Sequence, residues 1–223
     1  QIDVEPVHER YVVWNFPVDL RITSSVANAL GPLRLAVEDA MTSAQRDRAV
    51  QRAKEIGQET LQARAAAKSR AEGKGSTTPM DPEWVAYCVS QVMPDGALFI
   101  DESLTNRGWT RQHVKMEEPG SIFFCGGSSL GFALGAAIGV KLARPDRTVV
   151  SMVGDGSFNF GHPIPALWGA QKHNTPSLTV IYNNAGYRAS GRFSVQALYP
   201  EGIVARTHDA LVDAIDPPPD YAK

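Results

Sequence analysis

The sequence contains little cysteine and little histidine for a chain of 223 residues. Its two cysteines, Cys88 and Cys125, lie far apart and form no CxxC pair. Its five histidines show neither the HExxH pattern nor any other spacing typical of paired metal ligands. The histidines therefore indicate no metal site, and the cysteines are expected to be core thiols in a reducing compartment.

Long apolar runs and a strong net charge are also missing. No run approaches the roughly 18 residues that a membrane helix needs, and no secretory signal is visible. The formal net charge of -2 gives no footprint for a polyanion. With 43% hydrophobic and 21% charged residues, the composition is ordinary for a soluble globular protein. We therefore expect a cytoplasmic protein that binds neither a membrane nor nucleic acid.

The chain reads as three consecutive parts. Residues 1–40 predict two short strands and an apolar helix, which are too small to hold a core of their own. Residues 41–78 predict a solvated connecting helix and a linker, "RAEGKGSTTP". Residues 79–223 would form the main domain. Because the chain starts at Gln1 within a strand-like stretch and stops soon after Asp220, which resembles a helix N-cap, we expect a fragment of a longer protein.

Strand-like and helix-like segments alternate after the linker. Asp81 and Pro82 occupy the N-cap and first position of a predicted helix, and Gly96 follows its end. The stretches "ALFID", "RTVVSMV" and "SLTVIY" are continuous apolar runs, typical of parallel strands that are buried on both faces. The predicted fold class is therefore α/β, with a doubly wound, mostly parallel sheet and helices on both of its faces.

One predicted helix, "SSLGFALGAAIGVKLA", carries glycine at every fourth position, at Gly131, Gly135 and Gly139. Glycine costs about 1 kcal/mol in a helix interior relative to alanine. The pattern therefore predicts that another part of the backbone packs closely against this face of the helix.

Two polar clusters directly follow two of the predicted strands. "GDGS" at 154–157 comes after "TVVSMV", and "NNAG" at 183–186 comes after "SLTVIY". One helix and one strand separate them, so both clusters are expected at the same edge of the sheet. Asp155 offers an anionic oxygen, Asn184 an amide oxygen and the backbone near Gly186 a carbonyl. Such a set suits Mg²⁺ or Ca²⁺ whose coordination is completed by water and by phosphate oxygens of a ligand.

The glycines beside Asp155 fit the same interpretation. Gly154 and Gly156 would let a diphosphate approach the backbone, and the amides after Gly156 would face the anion. Taken alone, an Asp-Gly pair is more often a plain turn, but the second cluster favours a site for a metal and a diphosphate. His162 lies just beyond the motif and could reach this site, although an ordinary residue at a helix start is the simpler interpretation.

GDG followed by 26 residues and then NN resembles the thiamine-diphosphate signature of the superfamily of acetolactate synthase, benzoylformate decarboxylase and pyruvate decarboxylase. "GSIFFCGGSSLGFALGAAIGVKLARPDRTVVSMVGDGSF" is similar to the stretch that leads into that signature, and "VIYNNAGY" is similar to its end. The N-terminal stretch "QIDVEPVHERYVVWNFPVDLRI" resembles the last strands of the superfamily's central domain. The resemblance thus implies the tail of a central domain over 1–40, a linker over 41–78 and a diphosphate-binding domain over 79–223 that is incomplete at its C-terminus.

The resemblance implies a role for each matching residue. Asp155 and Asn184 would bind Mg²⁺ through their side chains and Gly186 through its carbonyl, while Ser157 would help to hold the diphosphate of thiamine diphosphate. Further contacts are expected from residues at other matching positions. These are Ser103 and Thr105 near the diphosphate (with helix capping as the alternative), the Ser128 carbonyl on the exocyclic amine, and Leu130 as an apolar wedge that bends the cofactor.

The resemblance also implies the activity and its limits. We expect a decarboxylase or carboligase of 2-oxo acids that works as a homodimer or homotetramer. The activating glutamate would lie on a pyrimidine-binding domain supplied by the missing part or by a partner chain, so the chain alone is expected to be inactive. An acyl-CoA substrate, as in 2-hydroxyacyl-CoA lyase or oxalyl-CoA decarboxylase, and a non-catalytic binding or regulatory subunit are the alternatives.

The segment after the second cluster would line the substrate pocket. Tyr187 and Phe193 are candidates to pack a substrate side chain. Arg188 and Arg192 could meet a carboxylate or a coenzyme A phosphate, and solvated arginines are the alternative. Family members often carry a glutamate in the helix after GDG, whereas this chain has "HPIPAL" there.

Overall fold

The computed structural model describes residues 1–5, 17–116, 118–127, 129–189, 191, 194–203 and 213–222. The chain divides into two compact units, Gln1–Leu61 and Gln62–Lys223. The three-part organisation expected from the sequence, with boundaries near residues 40 and 78, stays a prediction.

The first unit is built from short elements. Strands β1 (Ile2–Asp3) and β2 (Ile22–Thr23) pair in parallel. Helix α1 (Val26–Ala40) begins at Ser25, whose side chain accepts a hydrogen bond from the amide of Asn28. None of the residues of α1 is buried. Helix α2 (Ser43–Glu72) starts in this unit and continues into the second one.

The second unit contains a four-stranded sheet in which every neighbouring pair is parallel. In spatial order its strands are β4 (Ile122–Phe123), β3 (Leu98–Glu102), β5 (Val149–Gly154) and β6 (Leu178–Tyr182). Its remaining elements follow in chain order. They are α3 (Pro82–Val92), β3 (Leu98–Glu102), a 3₁₀ turn (Leu104–Asn106), α4 (Arg107–His113), β4 (Ile122–Phe123), α5 (Phe132–Ala143), β5 (Val149–Gly154), α6 (Asp155–Phe160), α7 (Pro163–Lys172), β6 (Leu178–Tyr182) and α8 (Ser194–Leu198).

Apolar side chains cover both faces of this sheet. Alternate strand residues, such as Phe99 and Met152, pack with Val89 of α3 on one face. Their neighbours, such as Ile100 and Val153, pack with α5 on the other face. Because both faces are buried, the strands read as continuous apolar runs in the sequence. The predicted α/β fold class, a mostly parallel sheet with helices on both faces, is confirmed.

The predicted start and end of helix α3 are confirmed as well. Asp81 is its N-cap and accepts a hydrogen bond from the amide of Glu83 at 2.8 Å, and Pro82 is the first helical residue. Gly96 follows the helix with a φ of 78°, a conformation that favours glycine. In the described part of the chain, no helix is long and apolar enough to cross a membrane.

The glycine pattern of α5 has a different meaning from the predicted one. Gly131 precedes the helix with a φ of 86°, and a Cβ atom there would lie 2.7 Å from Cα of Gly161. At Gly135 and Gly139 a Cβ atom would meet nothing within 4 Å. The prediction of close backbone packing is therefore right at Gly131, where the α5 N-terminus touches the end of α6, and wrong at Gly135 and Gly139.

The parallel arrangement positions the candidate site. Strands β3, β5 and β6 are neighbours in the sheet and run in the same direction. Register pairs Glu102 with Val153 and Gly154 with Tyr182, so the three strands end at nearly the same level. The segments that follow them therefore meet at one edge, where ligands bind in folds of this kind.

Candidate functional site

A cavity opens at this edge of the sheet. Ten of the twelve site residues predicted from the sequence line it, and the other two, Ser128 and Phe193, lie outside the described residues. The lining residues are Glu102, Ser103, Leu104, Thr105, Asn106, Leu130, Gly154, Asp155, Gly156, Ser157, Tyr182, Asn184, Gly186, Tyr187, Arg188 and Ala189. The fold thus brings the two polar clusters together, while the role of each residue stays a prediction.

Asp155 joins the two clusters. It is the first residue of α6 and is only 1% exposed. Its Oδ1 accepts a hydrogen bond from the amide of Gly156 at 2.9 Å, and its Oδ2 accepts one from the amide of Gly186 at 3.0 Å. A carboxylate has about four acceptor positions, so these two bonds fix its orientation and leave capacity for a cation.

The two asparagines after β6 have different positions. Asn183 accepts a hydrogen bond from the amide of Ala185 at 3.0 Å and so closes the turn, in which Ala185 has a φ of 54°. Asn184 is exposed and lines the cavity. Gly186 is buried, and a Cβ atom there would lie 2.6 Å from the carbonyl oxygen of Asp213. Only glycine therefore fits at this point of the turn.

The donor set at this edge fits a hard cation. The Asp155 carboxylate, the Asn184 side-chain amide and the Gly186 backbone are all oxygen donors of the kind that Mg²⁺ prefers. In the described part of the chain, no three histidine, cysteine, aspartate or glutamate side chains cluster as a metal site. A cation here would consequently depend on amide, carbonyl, water and ligand oxygens as well as on one carboxylate.

The two glycines beside Asp155 differ in their surroundings. A Cβ atom at Gly156 would lie 2.7 Å from Cδ1 of the Tyr187 ring, whereas at Gly154 it would meet nothing within 4 Å. In this chain the space above Gly156 is therefore used by Tyr187, and the open approach to the backbone lies at Gly154.

Ser103 and Thr105 follow β3 at the cavity wall. Ser103 is buried, and both its amide and its hydroxyl donate hydrogen bonds to Oδ1 of Asp101, at 3.0 and 2.6 Å. It stands at the N-cap of the 3₁₀ turn but makes no side-chain capping bond there. Thr105 is exposed and lines the cavity. Their expected contact with a diphosphate stays a prediction.

The candidate substrate residues have neighbours within the chain. The Tyr187 amide donates to the Asp213 carbonyl at 2.7 Å, and the Arg188 guanidinium pairs with the Asp213 carboxylate at 3.2 Å. This pair gives Arg188 an anionic partner other than a substrate, while Arg192 lies outside the described residues. His162 is exposed at the N-cap of α7 and does not line the cavity.

The C-terminal segment is a neighbour that the sequence did not reveal. Residues 213–215 bridge the turn after β6, since the amide of Ile215 donates to the carbonyl of Ala185 at 3.0 Å. Further along, the Tyr221 hydroxyl accepts a hydrogen bond from the Asn159 side chain at 3.0 Å, and its ring meets Phe158 edge-on. Local sequence patterns do not predict contacts between residues so far apart in the chain.

Glu102 is the second residue that the sequence did not single out. It ends β3 and is only 4% exposed. Its Oε1 accepts from the amide of Gly131 and its Oε2 from the amide of Ala133, each at 2.6 Å. Burial raises the pKa of Glu102, although these amides and the Ser157 hydroxyl act in the opposite direction. The strand period offers the only signal, because it places Glu102 on the same face as Ile100.

Comparisons with known proteins agree with this arrangement. The family model described as "Thiamine pyrophosphate enzyme, C-terminal TPP binding domain" matches residues 105–223. Benzoylformate decarboxylase of Pseudomonas aeruginosa is 41% identical over 111 residues, which are 50% of this chain and 21% of that protein. The mitochondrial acetolactate synthase catalytic subunit of Aspergillus candidus is 35% identical over 108 residues, 48% of this chain and 15% of that protein.

A solved structure extends the likeness to the fold. The thiamine diphosphate-dependent 4-hydroxybenzoylformate decarboxylase of Rhodococcus jostii RHA1 superposes with a TM-score of 0.51 at 35% identity, over 55% of this chain and 23% of that one. This chain therefore spans less than a quarter of each of these relatives. The family predicted from GDG and NN is confirmed: the chain belongs to the thiamine pyrophosphate enzymes and carries their C-terminal TPP-binding domain over residues 105–223.

Proposed function

We propose that this chain binds thiamine diphosphate through Mg²⁺ and, within its assembly, serves as a decarboxylase or carboligase of 2-oxo acids. The observation that carries the proposal is the meeting of Asp155, Asn184 and Gly186 at one cavity, with Asp155 hydrogen-bonded to the amides of both loops. A single carboxylate among neutral oxygens suits a cation that shares its coordination with a diphosphate.

Different residues of the chain would contact different parts of the cofactor. Asp155, Asn184 and the Gly186 carbonyl would hold Mg²⁺. The diphosphate would lie along the opening at Gly154 and the Ser157 hydroxyl, with Ser103 and Thr105 on the facing wall, and Leu130 and the Ser128 carbonyl would meet the rings. When bound, thiamine diphosphate supplies the electron sink for the bond that breaks as CO₂ leaves.

The proton chemistry of activation would come from outside the described cavity. Glu102 is the one glutamate among the described lining residues, and both of its oxygens already accept hydrogen bonds from backbone amides. These bonds hold its carboxylate at the start of α5. We propose that the activating glutamate belongs to a pyrimidine-binding domain elsewhere in the assembly, which makes a homodimer or homotetramer the working unit.

Two of the relatives support an aryl 2-oxo acid as the substrate to test first. Their names give benzoylformate and 4-hydroxybenzoylformate as substrates, at 41% and 35% identity to this chain. An aromatic side chain of this chain, Tyr187, lines the cavity and is available to pack a substrate ring. A coenzyme A phosphate at Arg188 is less well supported, because Arg188 already forms an ion pair with Asp213.

Calorimetric titration of thiamine diphosphate into the 223-residue chain, with and without Mg²⁺, tests the binding site. We expect Mg²⁺-dependent binding that Asp155→Ala weakens roughly hundredfold, because a charged ligand of the cation is lost. Asp146→Ala is the matched control, since Asp146 is an exposed aspartate that precedes β5 and lies away from the cavity. Binding that does not need Mg²⁺ would reject the site. So would equal affinities of the Asp155→Ala variant and the wild-type chain for thiamine diphosphate.

A separate assay tests the reaction. Release of CO₂ from benzoylformate and from pyruvate is followed with the intact assembly, and the products are identified. Faster turnover of benzoylformate to an aldehyde supports the aryl decarboxylase, whereas acetolactate formed from pyruvate supports the carboligase. An assembly that binds the cofactor and turns over neither acid would contradict the proposed activity while leaving the binding site intact.

A further inference from the structure

Glu102 is a buried carboxylate in an otherwise apolar layer. It ends β3 on the sheet face that packs against α5, together with Ile100 and Val153. It is only 4% exposed. Burying a carboxylate in such a place destabilises the fold unless the carboxylate is well hydrogen-bonded. Its hydrogen-bond partners therefore indicate its role.

Those partners are two backbone amides at the start of α5, one from its N-cap, Gly131, and one from Ala133. The two carboxylate oxygens accept from the amides of Gly131 and Ala133, each at 2.6 Å, which is slightly shorter than the usual range of about 2.7–3.2 Å for N–H···O hydrogen bonds. Residue 131, the N-cap of α5, is a glycine and has no side chain to satisfy these amides. Glu102 performs the capping task from another strand, 29 and 31 residues away in the sequence.

The capped turn has a second close neighbour, Gly161. Gly131 has a φ of 86°, and its backbone approaches Gly161 so closely that a Cβ atom would lie 2.7 Å from Cα of Gly161. Glu102 and Gly161 together leave Gly131 little freedom. Leu130 directly precedes Gly131 and lines the cavity, so the place of its side chain depends on this turn.

The carboxylate also lies near another part of the cavity wall. Ser157 of α6 lines the same cavity as Glu102, and it follows the Gly-Asp-Gly motif. Glu102 therefore contacts the segment that presents Leu130 and lies near the segment that would hold the diphosphate.

We propose that Glu102 is a positioning residue that fixes the turn before α5 and so places Leu130 beneath the bound cofactor. This inference rests on the proposed function, because Leu130 is assigned there to the cofactor rings. Glu102 itself touches neither the cofactor nor the substrate in this scheme. Its effect passes through two backbone amides and the residue that precedes them.

The first test needs no ligand. Amide hydrogen exchange is measured by NMR on the 223-residue wild-type chain and on Glu102→Gln, which keeps the shape of the side chain but replaces one acceptor with a donor. We expect exchange of the Gly131 and Ala133 amides to accelerate at least about tenfold, with the β5 amides unchanged. Unchanged protection of Gly131 and Ala133 in the folded variant would overturn the proposal.

The second test is a double-mutant cycle on binding. The affinity for thiamine diphosphate with Mg²⁺ is measured for Glu102→Gln, Leu130→Ala and the double variant. If Glu102 acts through Leu130, each single change lowers the affinity about tenfold and the double variant loses little more than either one. Wild-type affinity in Glu102→Gln, or losses that simply multiply, would overturn the proposal.

Two further measurements test whether Leu130 acts on the cofactor rings and whether the loss of affinity is specific to Glu102. Inorganic pyrophosphate with Mg²⁺ should bind Leu130→Ala as it binds the wild-type chain, because it has no rings. Glu83→Gln is the matched control, since it alters another fully buried carboxylate of the same unit, and it should leave cofactor affinity unchanged. Equal losses of affinity in Glu83→Gln and Glu102→Gln would contradict the assigned role.

Failure to fold and failure of the proposed function have distinct outcomes. If Glu102→Gln does not fold, Glu102→Asp is used instead, because it keeps the charge on a shorter side chain. It should show the same faster amide exchange and the same weaker cofactor binding. Wild-type exchange and affinity in Glu102→Asp would overturn the proposal. If the wild-type chain binds no thiamine diphosphate, the proposed function fails, and the exchange of the Gly131 and Ala133 amides still decides whether Glu102 fixes the turn.

Discussion

Asp155 is held in place by two backbone amides. Its two oxygens accept hydrogen bonds from Gly156, the next residue in the chain, and from Gly186, which lies beyond another helix and strand. These bonds hold the carboxylate in one orientation, so the proposed cation would need no side-chain reordering there. At the scale of single residues, the site depends on backbone amides and on glycines whose missing side chains make room for neighbours.

Gly156→Ala tests one such close approach. The new methyl group would lie 2.7 and 2.9 Å from two carbons of the Tyr187 ring, so the ring must move. We expect a loss of about 1–3 kcal/mol in the free energy of unfolding, measured by urea denaturation. Gly154→Ala is the control, because its Cβ atom would meet nothing within 4 Å. Combining Gly156→Ala with Tyr187→Ala should reduce the loss; an undiminished loss would show that the ring is not its cause.

A network of charged side chains around the buried carboxylate of Glu83 joins helices in the second unit. Glu83 of α3 is fully buried, and its carboxylate forms ion pairs with Arg70 at 2.8 Å and Lys74 at 2.9 Å. Nε2 of His113 lies within hydrogen-bonding distance of the same carboxylate, at 3.2 Å. Arg70 lies in α2, Lys74 just beyond its end and His113 at the end of α4. Burial by itself raises the pKa of Glu83, but the hydrogen bonds with Lys74, Arg70 and His113 outweigh it and lower the pKa to about 2.

This network predicts an acid-sensitive part of the stability. The ordinary pKa of Glu83 is 4.5 and its folded value is about 2, so the unfolded chain binds more protons between these values and stability rises with pH. The contribution is complete above about pH 4.5 and is lost as the pH falls towards 2. Glu83→Gln should cost about 1–3 kcal/mol at pH 7 and progressively less below pH 4.5. A difference between wild type and variant that stays constant over this range would contradict the assignment.

The start of helix α5 gives a second prediction at the scale of elements. Gly131→Ala would place a methyl group against the backbone of Gly161 at a positive φ, where neither partner is a flexible side chain. We expect a loss of about 2 kcal/mol or more in the free energy of unfolding. Gly135→Ala and Gly139→Ala have open space and should be neutral or stabilising by up to about 1 kcal/mol. The free energy of unfolding is measured by urea denaturation. Equal losses in all three variants would contradict this prediction and would indicate close packing along the whole glycine face.

What could be predicted from sequence is the part that local patterns encode. Helices α3 and α7 and strands β5 and β6 follow from caps, prolines and continuous apolar runs, and the GDG and NN spacing indicates the family. The buried role of Glu102 could not be predicted, because its amide partners lie 29 and 31 residues away. The same holds for the Asn159–Tyr221 contact, which spans 62 residues. Pairings of this kind depend on the folded sheet and leave no local signature.

The whole molecule separates a part that carries the candidate site from a part that does not. Every residue that lines the described cavity lies in Gln62–Lys223, and so do the two apolar clusters of the sheet. In Gln1–Leu61, helix α1 buries none of its residues, and its apolar side chains, such as Leu30 and Leu35, are more than half exposed. The hydrophobic stabilisation of the described chain is therefore concentrated in the second unit.

The second unit should accordingly keep the site when it is produced alone. We expect residues 62–223 to bind thiamine diphosphate and Mg²⁺ within about threefold of the affinity of the 223-residue chain, because Glu83 keeps Arg70, Lys74 and His113 and the cavity keeps all of its lining residues. Residues 1–61 should show no cooperative unfolding, since the parts of α1 and α2 within them bury no residue, and helices in proteins owe most of their stability to packing. Calorimetry and thermal unfolding followed by circular dichroism measure both expectations. A tenfold or greater loss of affinity in a folded 62–223 chain would show that the first unit contributes to the site.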